Sequence, residues 1–501
     1  MFVISSIHYF YATMNTRIFL KLVVIMFFTT GIFSCKKQQL LTSGGTLAFS
    51  TDTLTFDTVF TAAGSFTTGL VIYNRQSDPI VVSSVRLEKG SGSYFHLNVD
   101  GYQGNNITNL HIAPHDSIYV FATVNIDPTN VTTPFIVTDR LIATLNNQDF
   151  SIPFTAYGQN AHYIVSDSLV AANNGTSKNN WDTILPYVVL HHCAIGSGAV
   201  LNIPPRCKVY MHQDARFFVY GTLNVGQTAT QPSDSTIFQG DRLDRAYFGY
   251  VGYPGEWGGI YVIGGGTANI NKAIIKNCGG STPYYGYSIQ PAALEVDSGG
   301  VLNITNSIVK NSIGHGLLGF QGSINATNCL VEGCGGEAFA VILGGKDSIT
   351  SCTFANFGSN VLSHTNNPTV GVVNWLQLSL NEYIYSNVDV VMRNCIIWGS
   401  LDSEMVCDTS GSPAGTNARL LFDHCVVKKG TQVEAFAKFN SCVYTDPLFK
   451  DASKEDFHLP VSSPAVGTGT SNYLPAKDLE GTNRVPSGSG GYDIGCYQHS
   501  N

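Results

Sequence analysis

Charge is what this sequence has least of. Only 12% of its 501 residues are Asp, Glu, Lys or Arg, against roughly 25% in ordinary soluble chains. The net charge is −8. No run of Lys or Arg gathers into a footprint for a phosphate backbone, so nucleic acid is not an expected partner. Long apolar runs are also scarce: after Phe33 none approaches the roughly 20 residues needed to cross a bilayer. Paired metal-binding cysteines are missing, because Cys329 and Cys334 lie five apart and no second such pair follows. A metal cluster is therefore not expected. The abundant residues are 51 glycines together with Asn, Ser and Thr, in a chain that is still 44% hydrophobic. That mixture suits turn-dense β-structure with real cores, and the length allows two or three domains.

The first residues read as targeting rather than fold. Arg17 and Lys21 precede the apolar run Leu22 to Phe33, which is too short to span a membrane but suits a signal-peptide core. Met14 is a better-placed start for such a signal than Met1. The run ends Ile32-Phe33-Ser34-Cys35, followed by Lys36-Lys37. This resembles the lipobox of bacterial lipoproteins, with Phe33 departing from the usual small residue. The resemblance implies a signal peptide over 1–34, an acylated Cys35 and a tether over 35–45. The protein would then be exported and held by lipid, on the outer membrane of a Gram-negative bacterium. A plain secretory signal with a coincidental cysteine is the alternative. Of the 12 cysteines, Cys35 would carry lipid, and the odd eleven left cannot all pair within one chain.

Residues 46–160 alternate apolar and polar side chains over short runs. In SIYVFATVNI, Ile118, Val120, Ala122, Val124 and Ile126 share a face, and in DFSIPFTAYG so do Phe150, Ile152, Phe154 and Ala156. LVIYNR, PIVVSSVRLE and RLIATL add strands, with turn residues between them. The pattern predicts an antiparallel sandwich. The order of features, from FDTVF to the closing TAYGQ, resembles immunoglobulin-like accessory modules of exported bacterial proteins.

Beyond residue 161 an irregular repeat takes over. NKAIIKN (271–277), TNSIVKN (305–311), TNCLVEG (327–333), TSCTFAN (350–356), RNCIIWG (393–399) and DHCVVKK (423–429) align. Their starts are 34, 22, 23, 43 and 30 residues apart. The third position is always small: Ala273, Ser307, Cys329, Cys352, Cys395 and Cys425. Such a set predicts stacked coils with a ladder of small buried residues, the thiols free. The residues after the ladder, Ile274, Ile308, Leu330, Thr353, Ile396 and Val426, form a mostly apolar stripe. Strict alternation turns that stripe outward, so it needs a bend or a cover.

This repeat, with GEWGGIYV (255–262) and the closing DPLF, DFHLPVSSPAVGTG and YDIGCYQ, resembles right-handed parallel β-helix proteins of the pectate-lyase-like class. The resemblance implies an all-β chain: an immunoglobulin-like β-sandwich, a right-handed parallel β-helix over 161–445, and its end segment over 446–501.

Chemistry is harder to find. Gly314-His315-Gly316 matches a motif of β-helix pectin hydrolases, but no Asp-Asp pair lies one coil before it and no Arg-x-Lys follows. His315 aligns with Gly335-Gly336-Glu337 one coil on, which predicts a turn. Lys276 and Lys310 share a repeat position and point outward, where they can bind an acidic sugar or form an ordinary solvated face. Tyr284, Tyr285 and Tyr287 in one insertion, Trp375 in another, and Trp398 are candidate sugar-stacking aromatics, or else loop packing. The expectation is a non-catalytic envelope protein that binds or displays against polysaccharide. The alternative is a polysaccharide lyase or glycoside hydrolase acting on a uronate-containing glycan, with Ca²⁺ a candidate cofactor only for a lyase. A purely structural or adhesion role is the third reading.

Overall fold

A computed structural model describes residues 39–499 apart from 130, 166–167, 171–179, 244–251, 282–290, 414 and 488–489. The protein is all-β, with antiparallel sheets first and three long parallel sheets after them. It forms two compact units. One draws on residues up to Leu54, Thr67–Thr123 and Thr138–Thr155; the other takes Thr55–Phe66, Val124–Val137 and the chain from Ala156 onward.

Among the described residues the antiparallel part has two five-stranded sheets. One includes Thr68–Tyr73, Ser117–Val124 and Phe95–Val99; the other includes Ile80–Leu87, Asn106–Ile112, Phe135–Leu145 and Gln148–Gln159. Alternation decides which side chains they bury: Ile118, Val120, Ala122 and Val124 on one strand, Ile152, Phe154 and Ala156 on another, are all buried. The sheets meet face to face, with Phe95 of one edge-on to Phe154 of the other at 5.5 Å.

The second unit is a parallel β-helix. Among the described residues, ten strands stack in the first parallel sheet and nine in each of the second and third. One coil runs Val301–Thr305 in the third sheet, Ile308–Ser312 in the first and His315–Phe320 in the second, before Ser323–Thr327 resumes the third. The six aligned repeats are consecutive members of the first sheet, from Ala273–Cys278 to Val426–Val427.

The corner leading into each of these strands explains the repeat. Lys272, Asn306, Asn328, Ser351, Asn394 and His424 all take left-handed backbone, with φ between 48° and 59°. Asn is the commonest there because it tolerates that conformation better than most residues. The corner also leaves the next N–H without a strand partner, and the ladder residue supplies one. Ala273 N–H donates to Ser307 Oγ at 3.0 Å, and Cys329 N–H to Cys352 Sγ at 3.4 Å. Ser307 Oγ donates in turn to the Thr305 carbonyl, as Cys329, Cys352 and Cys395 donate to the carbonyls two residues before them. A hydroxyl and a thiol therefore do the same work in the ladder. The eleven cysteines of the described residues are free.

The outward apolar stripe is covered by the chain's own C-terminal segment. Leu330 packs with Phe457, Leu479, Cys496 and Tyr497; Ile396 and Val426 pack with Leu459, Ala465 and Ile494. The sequence left open whether a bend, loops or the first domain would do this. The end segment does most of it, with Phe357 of the loop after Thr353–Asn356 packed against both clusters.

Candidate functional site

The structure separates the residues that the sequence singled out. Lys276 and Lys310 do sit in register on adjacent strands of the first sheet. They are not an open surface, however. Lys310 Nζ lies 3.7 Å from Glu332 and also pairs with Glu455 of the end segment. Burial works against its charge, but the two carboxylates outweigh burial and hold its pKa above the usual lysine value. Glu332 is pushed up to about 7, chiefly by burial. Lys276 is pulled down by burial and by Lys310.

Trp398 lies in the core beneath the end segment, with Lys428 Nζ 5.5 Å above its ring. Trp375 opens a two-stranded hairpin, Trp375–Ser379 with Glu382–Tyr385, inserted between coil strands. It meets Tyr383 edge-on at 5.8 Å. Cys35, Tyr284, Tyr285 and Tyr287 lie outside the described residues. The ladder residues Ala273, Ser307, Cys329, Cys352, Cys395 and Cys425 are all buried within the coil.

His315 needs a correction. It is the first residue of the strand His315–Phe320 and pairs with Ala292 one coil before, rather than standing in a turn. Its flanking glycines are there for packing. A Cβ on Gly314 would meet the Pro291 carbonyl oxygen at 1.8 Å, and one on Gly316 would meet Val331 at 2.5 Å. His315 Nδ1 lies 2.8 Å from Glu337 Oε2 on the next coil. Burial raises the Glu337 pKa, but the histidine outweighs it and leaves the carboxylate below its ordinary value.

Two arrangements on the coil's outside were missed by the sequence reading. The first is a carboxyl pair on the second sheet, Glu295 and Asp297. The search for an Asp-Asp pair one coil before His315 passed over Glu-x-Asp, although residues two apart on a strand share a face. Glu295 stands in register between Tyr261 and Leu318. Burial, then the Asp297 charge, pushes its pKa up to about 8. Its Oε2 is buried and finds no donor among the described residues. Burial raises the Asp297 carboxyl as well, so both members of the pair hold a proton more tightly than a free carboxyl does. Tyr261 beside it is bonded by the buried Arg216.

The second arrangement is a row of asparagines on the outer face of the third sheet. Asn202 Nδ2 donates to Asn180 Oδ1 at 2.8 Å, Asn224 to Asn202 at 2.8 Å and Asn269 to Asn224 at 2.9 Å. Asn303 donates to Asn269 at 2.8 Å, and Asn325 to Asn303 at 3.0 Å. Strand alternation creates the row: Leu201 and Ile203, Leu223 and Val225, Leu302 and Ile304 point into the core and turn the asparagine between them out. Thr222 and Thr267 stand in register on one side of the row, and Thr305 and Thr327 on the other. The sequence carried this signal as apolar-Asn-apolar triplets in VLNI, TLNV, LNIT and SINAT.

No group of three or more His, Cys, Asp or Glu among the described residues is placed to hold a metal ion. No protein-family model matches the sequence, and no curated protein matches it. Among solved structures, part of the chain is similar to part of a family 123 glycoside hydrolase from Clostridium perfringens, from work on glycolipid glycan hydrolysis. The identity is 11%, over 22% of this chain and 26% of that one, with a TM-score of 0.16. A likeness at that level carries no argument about fold or activity. The architecture stands on the chain's own strand order: antiparallel sheets followed by the three parallel sheets of a β-helix.

Proposed function

We propose that this protein binds a cell-envelope polysaccharide along the outer face of its third parallel sheet without cleaving it. The lipobox-like end of its apolar leader supports export and a lipid anchor at Cys35, on the outer membrane of a Gram-negative bacterium. The asparagine row is the observation that carries the binding reading. Each amide has two N–H donors and two acceptor lone pairs. The row uses one of each per rung and leaves the others toward solvent. Rungs recur at the interstrand spacing of about 4.8 Å, so the face offers a regular series of donors and acceptors to a chain of hydroxyl-bearing units. The mutual hydrogen bonds fix the amides in advance, which lowers the ordering cost of binding. The face is uncharged along these rungs, so little charge desolvation opposes contact.

The test is affinity electrophoresis of the mature chain through gels containing neutral and acidic polysaccharides. Retardation by at least one polymer is the expected result; unchanged mobility in every gel overturns the reading.

A second reading, a lyase or glycoside hydrolase for a uronate-containing glycan, is favoured by the Glu295–Asp297 pair. A carboxyl protonated near pH 7 beside a carboxylate is suited to acid–base chemistry. Ultraviolet absorbance from unsaturated uronate ends, with Ca²⁺ and with EDTA, decides for lyase action. A rise that is lost in Glu295→Gln would replace the binding reading.

A further inference from the structure

The asparagine row does not fade into bare surface; it runs into a charged cleft. Asn325, its last rung, lines a cleft of about 480 Å³ together with Ser323, Lys346, Ser348, Arg393 and Arg419. Register builds this cleft from successive coils, since Lys346, Asp389 and Arg419 stand at matching positions on neighbouring strands of the third sheet. Asp389 is committed to Arg419, accepting from Nε at 2.6 Å and from Nη2 at 2.9 Å. That fork consumes the carboxylate. Lys346 and Arg393 pair with no carboxylate among the described residues, Arg393 resting 4.5 Å over the Tyr473 ring instead. The cleft thus holds a local excess of positive charge on a chain whose net charge is −8.

We propose that this cleft binds the anionic group, carboxylate or sulfate, of a sugar within the glycan that lies on the asparagine row. The inference rests on the row reading for the rest of the chain and adds the ligand's chemical class. Lys346 supplies a mobile point charge and Arg393 a planar donor fork held in place by its ring, which together suit a flat or tetrahedral oxyanion. Ser323, Ser348 and the spare Asn325 amide add neutral hydrogen bonds at the same site. Asp347 also lines the cleft; burial pushes its carboxyl up to about 7, so at neutral pH it carries only part of a negative charge and leaves Lys346 and Arg393 in excess.

The experiment compares the full mature chain on dextran, dextran sulfate and polygalacturonate by affinity electrophoresis at low and at physiological salt, with inorganic sulfate as competitor. The wild type is expected to bind at least one anionic polymer tenfold or more tighter than dextran. The Lys346→Gln/Arg393→Gln variant is expected to lose that preference at an unchanged melting temperature. Sulfated and carboxylated polymers distinguish the two anions. No preference for an anionic polymer, or a preference that survives the double variant, overturns the cleft. An anion preference that depends on Lys346 and Arg393 but survives alanines at Asn224, Asn269 and Asn303 keeps the cleft and rejects the row. Binding to dextran that needs the asparagines but shows no anion preference does the reverse. No binding to any polymer rejects both.

Discussion

Arg484 Nη2 donates to Asn328 Oδ1 at 2.9 Å, joining residues 156 positions apart. Asn328 is a left-handed corner of the coil, with φ of 59°. Its other amide end donates to Asn306 on the preceding corner. Arg484 also donates to the carbonyls of Gly495 and Asp493. One buried guanidinium therefore latches the end segment onto the corner row. Arg484→Met leaves those three neutral acceptors without their donor, and a buried acceptor left unpaired costs about 1–3 kcal/mol. Chemical denaturation should show a loss of that order, with new binding of a hydrophobic dye as the stripe around Leu330 is uncovered. Arg206→Met, at a side chain 73% exposed, should move the midpoint little.

The ladder makes a prediction about chemistry inside the coil. Ser307 already does at one rung what cysteine does at the next, so Cys352→Ser should keep the corner hydrogen bond and fold normally. Cys352→Ala leaves the Cys329 N–H without its acceptor, a loss of about 1–3 kcal/mol. Burial pushes Cys193, Cys207, Cys407 and Cys496 up to about 12, so these thiols stay protonated and unreactive at neutral pH. Mass spectrometry after alkylation should find them unmodified in the native protein and modified after denaturation.

Asp347 gives a pH signature with a definite sign. Its Oδ1 accepts from Ile324 N–H at 2.8 Å, while Oδ2 is buried with no partner among the described residues. Burial raises the folded-state pKa from 3.8 to about 7. A raised carboxyl binds its proton more tightly in the fold, so ionisation opposes folding. The penalty is absent below the unfolded value, grows as pH rises from about 4, and is complete above about 7, at roughly 1.4 kcal/mol per unit of difference. Asp347→Asn keeps the acceptor for Ile324 and removes the charge. Its melting temperature should match wild type near pH 4 and exceed it increasingly up to pH 8. A constant difference across that range would contradict this account.

The anchor is tested at one residue. The full chain expressed in a Gram-negative host should partition into the detergent phase of Triton X-114 and take up labelled fatty acid. Cys35→Ser should do neither. Uptake that persists in the variant would place the lipid elsewhere.

The fold was legible because two periodicities write it into the chain. Alternation along SIYVFATV and the fixed small position of the six repeats both follow from backbone geometry, and both reappear as buried faces. The strand repeats before residue 271 were harder to align: Lys208–Met211 does follow a left-handed corner and a small buried residue, Arg206 and Cys207, but its KVYM lacks the two adjacent aliphatic residues that most of the later repeats share. The candidate residues were less legible. Outward position predicted that Lys276 and Lys310 would share a face, but only the fold shows Glu455 of the end segment beside Lys310. The asparagine row is the converse case. Its triplets were in plain view, yet a single Asn between two apolar residues means little until stacking brings five rungs into register with the first.

The most direct measurement is the affinity of one chain altered only on that row. Asn224, Asn269 and Asn303 changed together to alanine remove partly exposed side chains and leave the core residues between them untouched. The account predicts at least a tenfold loss of retardation in whichever polysaccharide gel holds the wild type, with a melting temperature within a few degrees of it. Equal retardation by the triple variant would contradict the account and move the binding face elsewhere on the molecule.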